Sequence, residues 1–135
     1  MAAYADIILA LLNRAATLSV GSPALPISMP EPTTTFVPPN SGKYLIAEVF
    51  TNRPRWEGLS AGRMDQGLLQ ITVVWPKGKG LIAPAAAVDA VLAHFPKGHV
   101  MRQGSAGVKV VNATYPTSPI IASDARWPIT ISWAA

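Results

Sequence analysis

The stretch from Gln66 to Gly98, QGLLQITVVWPKGKGLIAPAAAVDAVLAHFPKG, decides the fold, because it holds a strand, a Gly-rich connection and a helix that packs back on that strand. Apolar residues alternate at Leu69, Ile71, Val73 and Trp75, with Gln70 and Thr72 between them, which is the period-two pattern of a half-buried strand. Pro76 cannot continue the ladder and ends it. After Lys77-Gly78-Lys79-Gly80, Pro84 fits the first helical turn, where its missing N–H is not needed. Val88, Val91, Leu92 and Phe95 then fall at i, i+3, i+4 and i+7, a single apolar stripe from which Asp89 and His94 point away. Pro96 and Gly98 stop the helix. An isolated helix of about 12 residues is marginal in water. Burying four such side chains contributes roughly 1.5 to 3 kcal/mol each as an upper bound, so packing against the strand decides that the helix exists.

Upstream, Tyr4, Ile7, Ile8, Leu11 and Leu12 are spaced as a helical stripe, with Asp6 near the start and Arg14 near the end, both favourable to the helix dipole. This predicts a first helix over Ala2 to Leu18. The stretch from Gly21 to Gly42 contains Pro23, Pro26, Pro30, Pro32, Pro38 and Pro39, too dense for regular structure, and should run extended. Within it, Thr33 to Val37 reads either as a short edge strand or a segment lying along a neighbouring subunit, or as plain surface linker. Lys43 to Thr51 is the next strand, with Tyr44, Ile46 and Phe50 on one side and Leu45, Ala47 and Val49 on the other. Glu48 interrupts the first of those faces.

The connection Asn52 to Asp65, NRPRWEGLSAGRMD, carries Arg53, Arg55 and Arg63 beside Trp56. Loops this long without structure of their own are usually functional or mobile. Past the central unit, Val100 to Gln103 and Val108 to Tyr115 form a predicted hairpin turning on Gly104-Ser105-Ala106-Gly107. Pro116 to Asp124 reads as a loop. Trp127, Ile129, Ile131 and Trp133 alternate in a last strand, and Pro128 implies that this strand starts there or lies at a sheet edge. The expected class is therefore α+β: an antiparallel-rich sheet of about four or five strands with both helices packed on one face. The chain reads as one domain over residues 1–135, with an N-terminal helix in 1–20, a Pro-rich arm or linker in 21–43 and the sheet-plus-helix core in 44–135.

Half of the residues are hydrophobic and 13% are charged. Either the abundant Ala inflates the count, or partner subunits cover part of the surface, since large apolar patches are seldom left open to water. The absence of cysteine removes disulfides, thiolate metal sites and cysteine nucleophiles. The apolar run Ile7 to Leu12 carries Asp6 before it and no basic leader, which makes a poor signal peptide, and it is too short to span a bilayer. A net charge of +4 is compatible with nucleic acid nearby, but eleven scattered basic residues in a chain of 135 are more often simply solvated.

Catalysis needs convergent groups, and the inventory is thin. His94 and His99 stand outside any metal-ligand spacing and read as capping or surface residues. The seven carboxylates form no close pair, and no Gly-x-Ser-x-Gly elbow occurs. Pro76 to Gly80 precedes a helix N-terminus, where phosphates bind, yet Lys79 is followed by Gly80 and the Walker pattern is missing. Arg53, Arg55, Arg63, Lys77 and Lys79 all sit in loops at strand ends. If those loops share one end of the sheet, the five side chains form one basic rim.

GLLQITVVWPKGKG followed by a helix ending HFPKG, with FTNRPRWEGL upstream and a last strand ending ITISW, resembles the phage tail terminator-like family. The most specific pieces are Asn52-Arg53-Pro54, Gln66-Gly67-Leu68-Leu69-Gln70, Val74-Trp75-Pro76, Gly80 and Phe95-Pro96, and the likeness runs from Leu45 to Trp133. The Pro-rich segment carries no matching motif. The resemblance implies a structural protein of the virion with no enzyme activity and no cofactor, made in the host cytoplasm. It implies a homo-hexameric ring that caps the head-proximal end of the tail tube, stops its polymerisation and offers a surface to the head-side neck or connector protein. Arg53, Arg55, Trp56, Arg63, Lys77 and Lys79 are then candidate contacts with those partners or with the lumen, where a positive annulus would hold DNA by charge without base readout. Two other readings stand beside it. One is a different neck or head-completion protein. The other is a small nucleic-acid-binding domain that uses the loop arginines, with Trp56 as a stacking platform.

Overall fold

A computed structural model describes residues 4–20, 25–30, 36–51, 55–56, 63–114, 116 and 119–135. In chain order the elements are α1 (Tyr4–Ala16), β1 (Ile27–Ser28), β2 (Tyr44–Thr51), β3 (Arg55–Trp56), β4 (Arg63–Met64) and β5 (Gln66–Trp75). Next come α2 (Ile82–His94), β6 (Val100–Gln103), β7 (Ala106–Thr114), β8 (Ile120–Ile121) and β9 (Ala125–Ala134). The main sheet has the order β1-β2-β5-β9-β7-β6, with β8 added on β9, and β3 pairs with β4 in a separate ribbon. The β1–β2 pair is parallel, whereas the other neighbours are antiparallel.

The alternation expected of the central strand sets the core. Leu69, Ile71, Val73 and Trp75 of β5 lie across from Ile131, Ile129, Trp127 and Ala125 of β9, and all eight are buried on one face. Leu45 and Ala47 of β2 and Val108 and Val110 of β7 extend that face sideways. Both helices cover it. Ile7, Leu11 and Ala15 of α1 and Ala87, Val88 and Val91 of α2 belong to the same buried cluster as the strand residues. Phe95, just beyond α2, is fully buried. Gly67 marks the tightest approach in the sheet. A Cβ there would come within 2.7 Å of Trp133 Cζ2 and would also meet the Phe50 main-chain oxygen.

The α+β class and the two helices on one face are as expected, but the sheet is larger than four or five strands and is mixed. Seven strands join it, and the parallel pairing comes from β1 inside the Pro-rich segment, where Leu45 N–H donates to Pro26 O at 2.9 Å. A two-residue strand bounded by prolines has no periodicity to betray it. The edge strand considered at Thr33 to Val37 falls partly outside the described residues. Of that run, the Phe36 ring lies against Tyr44 with centroids 5.5 Å apart.

Pro128 gives a second correction. It neither starts β9 nor lies at an edge, because β9 begins at Ala125 between β5 and β7. The ladder tolerates it for a local reason. β7 pairs with Thr130 to Ala134 and β8 with Ala125 and Arg126, so among the described residues Pro128 has no partner strand on that side whose hydrogen bond it would break. The stripe of α1 also turns from the expected one: Tyr4 is 64% exposed, and Ala10 and Ala15 are buried in the place of bulkier neighbours.

The predicted hairpin has a shorter turn than expected, only Gly104-Ser105, since Gln103 pairs with Ala106. Gly104 adopts φ 54, the left-handed region that a two-residue turn of this kind demands. Asp6 explains how the tip is held. Its carboxylate accepts the Ser105 N–H at 3.1 Å and the Ser105 hydroxyl at 2.9 Å, and these bonds hold its pKa below the ordinary value. We expect Asp6→Ala to accelerate hydrogen exchange at the Ser105 amide while amides in β5 keep their protection. An unchanged Ser105 rate would disprove the clamp.

Candidate functional site

The two ends of β5 carry the residues that the sequence singled out, and the topology keeps them apart. β2 ends where β5 begins, with Thr51 opposite Gly67, so the Asn52 to Asp65 connection leaves the sheet at the start of β5. Lys77 and Lys79 follow the end of β5. Ten residues of strand separate the groups by roughly 30 Å. Among the described residues, Arg55 and Arg63 therefore lie at one end of β5 and Lys77 and Lys79 at the other, so these four do not share one end of the sheet.

At the first end the long connection has structure of its own, with Arg55 opposite Met64 and Trp56 opposite Arg63 in the β3–β4 ribbon. Arg53 lies outside the described residues. The ribbon is anchored beside the end of β9, because Asp65 N–H donates to Ala135 O at 3.3 Å and Ala135 N–H to Asp65 O at 2.8 Å. Two-residue strands next to glycines and prolines gave no sequence signal.

At the second end Lys77 and Lys79 are exposed. Lys43, at the start of β2, lies with Nζ 4.8 Å from the Trp75 ring centroid, so its charge rests on an aromatic face. Arg126 joins this end through its pairing with Val74 and donates to Asp124 at 2.9 Å, a bond that raises its pKa. Lys43 and Arg126 are cations that sequence reading passed over, because each is adjacent to the end group only through strand pairing. Leu81 and Ile82, at the start of α2, are 62% and 85% exposed, and Ile120 and Ile121 of β8 are 59% and 53% exposed. This end thus combines exposed aliphatic side chains with cations, a composition suited to a protein partner.

His94 has a structural task. Arg14 donates from Nε at 3.1 Å and from Nη2 at 2.7 Å to the His94 carbonyl, which ties the ends of α1 and α2 together. The Thr17 hydroxyl donates to Arg14 O at 2.7 Å, so His94 Nε2, which is 2.8 Å from that hydroxyl oxygen and 3.0 Å from Arg14 O, must carry its proton and donate. Burial, helped by the nearby Arg14 and His99 charges, lowers the His94 pKa below 6.5. The folded chain then binds this proton less readily than the unfolded chain. Stability from His94 is full above about pH 6.5 and is lost as the pH falls through the lower folded value. Melting temperatures at pH 7.5 and 5.5 should differ more for the parent than for His94→Gln; equal differences would contradict this. His99 pairs through its main chain, accepting the Val110 N–H at 2.8 Å. Among the described residues no group of three His, Asp or Glu is placed to hold a metal ion, and no helix is long and apolar enough to cross a membrane.

The family model described as Phage tail terminator protein matches residues 6–133, nearly the whole chain. The chain belongs to that family, whose members are structural proteins of the phage tail. A solved structure whose name states no function shares the fold, with a TM-score of 0.78 and 26% identity over 99% of this chain and 96% of the other. No curated protein matches the chain.

Proposed function

We propose that this protein is the subunit of a closed hexameric ring that caps the head-proximal end of the tail tube, ends tube polymerisation and joins the tail to the neck. Family membership across residues 6–133 carries the reading. A closed ring needs heterologous contacts, in which one face of a subunit meets a different face of the next. A terminator must also engage the tube protein on one side and the connector on the other. Contact material at both ends of β5 supports such a role: Arg55, Trp56 and Arg63 by one end, and Lys77 and Lys79 by the other; Arg53, outside the described residues, is proposed with the first group. Exposed cations repeated six times would also let DNA pass through a positive lumen without base readout.

The test combines native mass spectrometry and negative-stain imaging with a tube-growth reaction. The purified chain is expected to form six-membered rings, and adding it to polymerising tube protein should shorten the tubes. A chain that stays monomeric alone and with tubes, and leaves tube length unchanged, would overturn the proposal. For the lumen, Lys77→Glu with Lys79→Glu should abolish low-salt DNA retention by the ring.

A further inference from the structure

α2 is apolar on the wrong side as well as the right one. Eleven of its thirteen residues, IAPAAAVDAVLAH, are apolar, and only Pro84, Ala87, Val88 and Val91 of them are buried. The outward stripe Ile82, Ala86, Asp89 and Ala93, at i, i+4, i+7 and i+11, is exposed throughout and carries a single charge. A helix that is apolar all round is ordinarily a covered helix. Beside the stripe, Ala83, Ala86 and Ala90 form a groove of about 180 Å³ with Trp75, Val20 and Leu25, large enough for an aliphatic side chain.

The charges on the rest of the chain identify what covers it. Among the described residues the exposed acids are Glu48 and Asp89, whereas Lys77, Lys79, Lys97, Arg102 and Lys109 are exposed cations that make no ion pair. Two of these cations share a surface. Met101 and Val108 point into the core, so Arg102 and Lys109 stand on the opposite face of the β6–β7 hairpin, where Val100, 37% exposed, pairs with Lys109. That face offers apolar contact and positive charge, the complement of an Ala surface bearing one carboxylate. It also lies on the other side of the sheet from α2.

We infer that the outward face of α2 docks on the outer face of the β6–β7 hairpin of a second copy of this chain, with Asp89 meeting Arg102 and Lys109. The two faces differ, so the contact is heterologous and propagates around a ring. The inference rests on the ring reading and assigns its subunit interface.

Sedimentation and native mass spectrometry of variants test it. Ala86→Glu and Ala93→Glu lie on an exposed helix face and should keep the parent circular dichroism and melting temperature, yet run as monomers. Asp89→Lys should weaken assembly by about tenfold or more, and combining it with Lys109→Asp should restore it to within about threefold of the parent. Rings of unchanged mass in both Glu variants overturn the inference and leave the ring itself standing. A charge pair that does not restore assembly overturns the assignment of the β6–β7 face. A parent chain that is monomeric at every concentration overturns the inference and the ring together.

Discussion

Gly67→Ala should destabilise the protein by about 3 kcal/mol, although it adds only one methyl group. Gly67 sits in the first turn of the β5 ladder, between Thr51 of β2 and Trp133 of β9, where the added carbon would come within 2.7 Å of the Trp133 ring and 3.0 Å of Thr51 Cα, and would run into the Phe50 carbonyl. Side chains can rotate away from such an intrusion. Main chain held in a ladder cannot, so β2, whose Phe50 and Thr51 backbone stands in the way, must shift. Overpacking a core typically costs 1 to 3 kcal/mol, and a clash with backbone belongs at or beyond the upper end, about 3 kcal/mol. Urea unfolding followed by tryptophan fluorescence measures it. Replacing Trp133 by Leu in the same chain should not restore stability, because the second obstacle is main chain. A midpoint within error of the parent would show that the strands are not so closely apposed.

Phe95→Ala should remove about 3 to 5 kcal/mol by leaving a cavity beneath the end of α2. The side chain is fully buried, meets His94 edge-on with ring centroids 5.3 Å apart, and its N–H closes the helix on Leu92 O at 3.2 Å. The loss should therefore spread from the cavity to the junction with α1, where Arg14 holds the His94 carbonyl. Calorimetric melting checks the first part, and amide exchange in the last turn of α2 checks the second. A loss under about 1 kcal/mol would mean that the site collapses around the missing ring.

The long elements were legible because their periodicity reports burial directly. The alternation from Leu69 to Trp75 matches one buried face of β5, although Thr72 and Val74 are buried as well, so that the strand is covered on both faces towards Trp75; of the Val88, Val91, Leu92, Phe95 stripe, all but the partly buried Leu92 are buried. Short elements carry no such signal. β1, β3, β4 and β8 have two residues each, and their pairing is settled by neighbours distant in sequence. Pro128 misled because the rule that keeps proline out of central strands concerns a lost hydrogen bond, and among the described residues no neighbouring strand at this position waits for one. Asp6 was read as a helix-dipole residue. Its second task, holding Ser105 nearly one hundred residues away, exists only in three dimensions.

The candidate contacts were legible as residue types and not as a surface. Loop arginines and lysines are visible in any sequence, but whether they share an end of the sheet depends on the direction of β5 and the strand order. Lys43 and Arg126 show the same limit from the other side, since each reaches the Trp75 end only through pairing. The all-apolar character of α2 was present in the sequence and was absorbed into the general abundance of Ala. The placement of Ile82, Ala86, Asp89 and Ala93 on an exposed face is visible only in three dimensions.

The strand order has a consequence for how the chain reaches its folded state. β9 lies between β5 and β7, yet follows both in sequence. The β2–β5 and β6–β7 hairpins can nucleate locally, but the contact that unites them, Ile71 with Ile129 and Val110 with Trp133, waits for loops of high contact order to close. Until then two apolar strand edges stand open, and a nascent or heated chain exposes both. We therefore expect insertion of β9 to be the slow, committing event of folding, with the chain most prone to aggregate before it.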